Sequence, residues 1–360
     1  MKHLTVAVFF ASVLGYSAMA PAACSPTSDT SGLSVNPAAL ADLKAINVDE
    51  AFIWTSLQAT SKPETSGCWA SPTGNSDKQI LSVGVQQWNF GQNSLQPILR
   101  LFQARPGSVT VIKEKMPLYG ERFFSDGCKR LSGPLQMKGY ISTISQACFD
   151  FISSHYGPGR SGLMPDFAAE VTALFESPLM KQIQVDEFSR NISSHKKDLQ
   201  NFFGAHPTPL DIKWVIDITT QQGGMPALSD VNRARQIFRN LRDDLKQADL
   251  GRTIDWYGSS CGMSDAVGVG REHGDCGYNV PRMKAYISSG AWRTQQDVVD
   301  LLLLTRTKSR TAATQSGIYQ ANCFERRAQI ALGCGMVGGL AIPCSFFAGD
   351  RGKLALASQQ

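Results

Sequence analysis

The sequence predicts a mainly α-helical fold of the α+β class, carried by one large domain with a small β-hairpin near its front. Three observations predict it. Apolar residues recur at helical spacing through most of the chain. One short run, Ile80 to Val85, carries strand-favouring residues after a Gly-, Ser-, Pro- and Thr-rich stretch from Thr65 to Asn75. No internal repeat or long linker divides the 360 residues, and a hydrophobic share of 42% against 18% charged suits a globular core.

In chain order, Met1-Lys2-His3 precedes an apolar run from Leu4 to Tyr16 and then the small residues Ser17 to Ala23. That is the three-part layout of a secretory signal peptide, and its apolar core is too short to span a bilayer comfortably. Residues 1–23 are therefore expected to be removed on export to the periplasm or beyond, with no stable membrane insertion afterwards. Cys24 invites lipidation, but Pro21 sits where a lipobox prefers a small or aliphatic residue. Residues 24–36 read as a flexible leader, 37–347 as the folded domain and 348–360 as a tail.

Asn36-Pro37 offers a capping side chain and a proline suited to a first helical turn. Leu40, Leu43, Ile46, Ile53, Trp54 and Leu57 then extend one helix, which Lys62-Pro63 should end, leaving Glu64 just beyond it. Further helices are expected over 93–104, 133–155, 165–202, 209–222, 229–249, 279–289, 294–308 and 317–337. The uncharged stretch 331–349 reads as buried C-terminal core, because its glycines and Pro343 make a poor membrane span.

Nine cysteines in an exported chain point to disulfides. Setting Cys24 aside leaves an even set, with Cys128/Cys148 and Cys261/Cys276 the natural pairs. None has the CxxC spacing of a zinc or redox motif, so neither metal nor cofactor is expected. A net charge of +5 suits an anionic polymer better than a cationic one. The basic residues are dispersed, which argues against nucleic acid.

Cleaving a glycosidic bond requires a carboxylic acid to protonate the leaving oxygen, usually with a second carboxylate as partner. Glu64 has the right setting, at a helix end before a polar hairpin, with Phe52, Trp54 and Trp69 near in sequence to shelter it. Thr65 follows it directly. Trp88 offers an aromatic face, and Gln87 and Asn89 offer amides, for sugar contact.

Three blocks carry a family resemblance: Glu64-Thr65-Ser66-Gly67, Thr73-Gly74-Asn75-Ser76-Asp77, and Leu81 through Gln92. Together they resemble the active-site region of bacterial and phage lysozyme-like proteins related to chitosanases. They are also similar to a stretched lytic transglycosylase signature, in which Gly84 and Gln87 hold the Gly and Gln places. The resemblance implies a lysozyme-like helical domain with Glu64 as general acid, Asp77 as base and Ser82 as the hydroxyl that positions water. Ser76, Lys78 and Ile80 depart from the family's Phe, Gly and Gly, which leaves the loop geometry open. The likeness continues through Asp217 to Gly224 and through Glu325 to Gly333, where Asp217 and Arg327 read as a helix-packing ion pair.

The expected activity is thus hydrolysis or lytic transglycosylation of β-1,4 linkages in an amino-sugar polymer, with peptidoglycan favoured. The alternatives are a chitosanase or a catalytically inactive glycan-binding envelope protein. Gly258-Ser259-Ser260-Cys261-Gly262 has the spacing of a serine-hydrolase elbow, but no apolar strand precedes it. His273 with Asp265 and Asp275 reads as polar surface rather than a metal site.

Overall fold

In the computed structural model the described residues are 24–75, 79–132, 142–222, 224–265, 270–311, 317–333, 335–337 and 340–342. Asn36 caps α1 (Pro37–Leu43) as expected, its side chain accepting from the Ala38 N–H at 2.9 Å. The long first helix does not form, because Asn47 turns left-handed at φ 59° and Asp49 caps a new helix, α2 (Glu50–Thr65). Helix α2 runs through Pro63, so Glu64 lies in its last turn rather than beyond its end. Pro63 removes one helical hydrogen bond, and α2 ends two residues later, where Ser66 turns left-handed at φ 57°. Thr65 Oγ1 and the Gly67 N–H both donate to the Ser61 carbonyl at 3.0 Å and close the end.

The hairpin is present but short: β1 (Ser82–Val83) pairs antiparallel with β2 (Trp88–Asn89), with Ser82 opposite Asn89. Thr73 bridges the other side of Ser82, so the element is three ribbons wide. Gly84, at the turn, has φ +86°, and a Cβ there would meet Gln184 Oε1 and the Trp88 ring at 2.8 Å.

Helices α3 (Leu95–Gln103), α4 (Ser108–Lys115) and α5 (Gly120–Phe123) follow, then α6 (Gln146–Ser153). The helix expected over 133–155 is thereby reduced, its portion 133–141 lying outside the described residues. The expected 165–202 helix divides into α7 (Pro165–Phe175), α8 (Pro178–Ser194) and α9 (Lys196–Phe203). Pro178 cannot continue a helix but starts one well, and Ser177 caps it. Then come α10 (Pro209–Gln222), as expected, α11 (Leu228–Arg239), α12 (Asp243–Asp265) and α13 (Gly270–Ser289). Finally α14 (Gln296–Thr311) and α15 (Gly317–Leu332) precede an antiparallel pair, β3 (Gly335–Val337) and β4 (Leu340–Ile342). The last helix stops short of 337 because Gly333 turns left-handed at φ +81°.

Helix α10 is the axis of the molecule. Every residue from Leu210 to Ile218 is buried, and α2, α8, α9 and α15 pack around it. A helix buried on all faces is a core helix. Trp214 on α10 donates to Thr305 Oγ1 of α14 at 2.9 Å, spending its one polar atom.

Two disulfides, Cys128–Cys148 and Cys261–Cys276, are those the spacing suggested. The third overturns the even set that left Cys24 out, since Cys24 pairs with Cys68. Nor is the segment 24–36 a flexible leader. Thr27 N–H donates to Gly67 O at 2.8 Å, Trp69 N–H donates to Ser25 O at 3.0 Å, and Val35 is buried. Its hydroxyls bond protein: Thr27 Oγ1 meets Ser61 Oγ at 2.9 Å. Among the described residues no helix is long and apolar enough to cross a membrane.

Gly84→Ala should cost about 1–3 kcal/mol, from overpacking plus the unfavourable left-handed backbone. A thermal melt of the variant beside the parent measures it, and an unchanged melting temperature would contradict this account of the turn.

Candidate functional site

Glu64 leaves the last turn of α2 toward α15, where Arg326 Nη2 donates to its Oε1 at 2.6 Å. The Glu64 side chain is 13% exposed and that of Arg326 only 6%. Arg326 also donates to Asp217 Oδ1 of α10, from Nε at 3.0 Å and Nη2 at 2.7 Å. The second Asp217 oxygen faces Arg327 Nε at 3.4 Å, an ionic contact longer than a hydrogen bond. Two carboxylates and two guanidinia thus alternate across the junction of α2, α10 and α15. Burial opposes the charge on Arg326, but the carboxylates of Asp217 and Glu64 outweigh it and raise the guanidinium above its ordinary value.

The aromatic shelter expected around Glu64 is engaged elsewhere. Trp54 Nε1 donates to Glu50, Trp69 Nε1 donates to Asp29 O, and Phe52 lies beneath Lys213. What holds Glu64 is a cation. The Asp217–Arg327 pair read from sequence is present, but Arg326, which joins it to Glu64, escaped sequence reasoning. The only available signal was the Arg-Arg doublet of the resemblance, which does not say which member faces the carboxylate.

Arg327 is fully buried and extends the network. It donates to Cys323 O at 2.6 Å and to Gln221 Oε1 at 2.8 Å. Gln221 donates to Asn322, Asn322 donates to Glu325, and Tyr257 OH donates to Glu325 at 2.7 Å. Burial, then the charge of Glu325, pushes the Tyr257 phenol far up, so it stays protonated, donating to Glu325 and accepting from Asn279. Asn279 joins Tyr257 to the backbone of β3, exchanging hydrogen bonds with the Met336 N–H and C=O at 2.9 and 2.8 Å. The Cys323 thiol is buried, which raises it and keeps it inert.

Beside this cluster lies a groove of about 320 Å³, at the small end of the ~300–1,000 Å³ of ligand clefts. One wall is the hairpin region, with Gln86, Gln87, Asn89 and Gln92. The other wall is α8, and Thr219 and Thr220 of α10 close one side. Gln86 Nε2 donates to Thr220 Oγ1 at 3.0 Å and ties the hairpin to α10. Asp217 and Thr220 are three residues apart on that helix, hence neighbours on one face. The groove therefore begins about one helical turn from the Glu64 cluster.

The remaining expected residues divide. Gln87, Trp88 and Asn89 all line the groove. Gln87 is held by Thr73 Oγ1 at 3.3 Å and by Ser71 O at 3.2 Å, its side chain bracing the strands. Asn89 spends its amide on its own turn, donating to Gln87 O and accepting from the Gln92 N–H at 2.7 Å. Trp88 is largely core. Thr65 is buried with its hydroxyl on Ser61 O and Cys68 O, so it closes the helix end rather than meeting substrate. Ser82 is buried within the ribbon. Asp77 lies outside the described residues.

Among the described residues no group of His, Cys, Asp and Glu forms a metal site. The serine-hydrolase spacing at Gly258 to Gly262 falls inside α12, with Cys261 in a disulfide, and is no strand-to-helix elbow. Behind Glu64, a cavity of about 20 Å³ is lined by Thr60, Pro63, Lys213, Asp217 and Arg326, room for about one water. Compared with known protein families, characterised proteins and solved structures, the chain matches none.

Two variants test the electrostatics. Arg326→Met removes the cation between two buried carboxylates and should destabilise by roughly 3–5 kcal/mol, as breaking a buried ion pair does. A denaturant melt reads it. Burial lowers the Lys213 ammonium below its usual value, so charge on Lys213 disfavours the folded state. That penalty is full below the lowered value and fades as pH rises toward the ordinary lysine range. Lys213→Met should therefore raise the melting temperature at neutral pH, with the gain shrinking in alkaline buffer. A gain that grew with pH would refute the assignment.

Proposed function

We propose that the protein is an exported glycosidase cleaving β-1,4 linkages of an amino-sugar polymer, peptidoglycan being the favoured one, with Glu64 as general acid. One observation carries the reading: Arg326 fixes the Glu64 carboxylate at a helix end, and Asp217, which the same guanidinium holds, lies one helical turn from Thr220 of a polar groove of about 320 Å³. Protonating a leaving oxygen demands a carboxyl held in one place. Arg326 bonds Oε1 and so fixes the orientation of the carboxyl group. The resemblance of the Glu64–Gln92 block supports the same role. In a hydrolase Asp77 acts as base, with Ser82 positioning the water. In a lytic transglycosylase Glu64 suffices alone. The ion network itself favours a second reading, a catalytically silent glycan-binding envelope protein in which Glu64 only joins helices. A chitosanase remains the alternative among enzymes.

A zymogram on peptidoglycan and chitosan with the parent, Glu64→Gln and Asp77→Asn separates these. Glu64→Gln should lower cleavage by roughly 10²–10⁴-fold, the scale of general acid catalysis, while keeping a cooperative melt. Asp77→Asn should do the same only in a two-carboxylate hydrolase, whose products carry free reducing ends rather than 1,6-anhydro ends. Undiminished cleavage by Glu64→Gln would end the assignment. Absence of cleavage by the parent, with glycan binding intact, would establish the silent reading.

A further inference from the structure

The wall that α8 gives to the groove is a single stripe: Glu187, Arg190, Asn191 and Ser194 follow the helical i, i+3, i+4, i+7 pattern. Opposite it stand amides and hydroxyls from the hairpin and α10. Among the described lining residues one carboxylate faces the groove, that of Glu187, and its side chain is only 12% exposed. Arg190 caps it with both ends of its fork. Nε donates to Oε2 at 2.8 Å and Nη2 donates to Oε1. The Arg190 side chain itself is 65% exposed and reaches the rim. The groove is thus neutral in sum but presents its positive member outward.

We propose that the Glu187–Arg190 pair sets substrate choice in this groove, admitting N-acylated amino sugars and turning away sugars with a free amine. This rests on the glycosidase reading above. Sugars whose nitrogen is acylated carry a neutral amide, which the Gln92 side chain at the hairpin and Asn191 on α8 match as donor and acceptor. A free amine is an ammonium in mildly acid solution. Entering here, it loses water and finds the nearby carboxylate already satisfied, with a guanidinium at the rim to repel it. Arg190 is therefore a specificity residue: its removal uncovers Glu187 and supplies the missing counter-charge. Asn191 and Ser194, on the same stripe, remain in place to bond the sugar whichever charge is present.

The experiment is calorimetric titration of Glu64→Gln protein, which prevents turnover, with tetra-N-acetylchitotetraose and with fully deacetylated chitotetraose at mildly acid pH. The parent background should bind the acetylated oligomer more tightly. Adding Arg190→Gln should shift the ratio of the two affinities by roughly tenfold toward the deacetylated one, mainly by tightening the latter. Arg190→Lys, which keeps the charge, should restore the original preference. Glu187→Gln should weaken deacetylated binding further and leave acetylated binding in place. A merely structural pair would lower both affinities together. An unchanged ratio in Arg190→Gln, or a parent that prefers the deacetylated oligomer, overturns the proposal. If the acetylated oligomer binds as expected but native protein cleaves neither polymer, the catalytic reading fails and the specificity assignment stands. If neither oligomer binds while native protein cleaves cell walls, the specificity assignment alone fails. If neither is bound and nothing is cleaved, both fail.

Discussion

Arg326 is the residue on which the rest of the structure turns. It sits between Glu64 of α2 and Asp217 of α10, is almost wholly buried, and fixes three helices at one point. Buried charge is costly unless each member is paired, so the position of any one of these groups constrains the others. The alternation of carboxylate and guanidinium from Glu64 through Arg326 and Asp217 to Arg327 meets that condition. Neutral amides then carry the pattern outward through Gln221, Asn322 and Asn279 to the last β pair. A side chain tied at one end to such a lattice has little freedom at the other.

The hairpin is fixed from outside rather than by its own short strands. Gly84 lets the Trp88 ring and Gln184 close over it, and the Val85 N–H donates to the same Gln184 at 3.0 Å. The Cys24–Cys68 disulfide and the backbone bonds of residues 25–27 bind the segment just after Glu64. Gln86 then reaches across to α10. Groove and carboxylate therefore share one rigid support, with α10 common to both.

What could be read from the sequence was local. The Asn36 cap, the proline starts, the apolar face of 95–103 and the buried run of α10 each follow from residues within a few turns of one another. Element breaks were harder, because Asp49 and Ser177 compete as caps with a periodicity that runs on past them. Pro63 misled in the opposite direction: it disfavours helical backbone at Lys62 without forbidding it, and α2 runs on through it to Thr65. The Asp217–Arg327 pair was legible through the resemblance, whereas the Arg326 contact to Glu64 was not, because no spacing rule connects residues 262 positions apart. Cys24 was lost to composition: a Ser-, Thr- and Pro-rich stretch looks loose until its partners in the fold are seen. Thr65, Asn89 and Trp88 spend their polar atoms or faces on building the helix end and the hairpin, which residue type alone does not reveal.

The span between Glu64 and Arg326 bears on how the molecule comes into being. The two groups leave the ribosome 262 residues apart. Until α15 arrives, the interface that Glu64 and Asp217 will occupy lacks its cations, and closing it would trap two bare carboxylates. The first half of the chain is thus under pressure to stay open at that seam while its other parts condense. Long-range closure of this kind is slow. The arrival of α15 is accordingly the event that assembles the centre, and it finishes what α2 began.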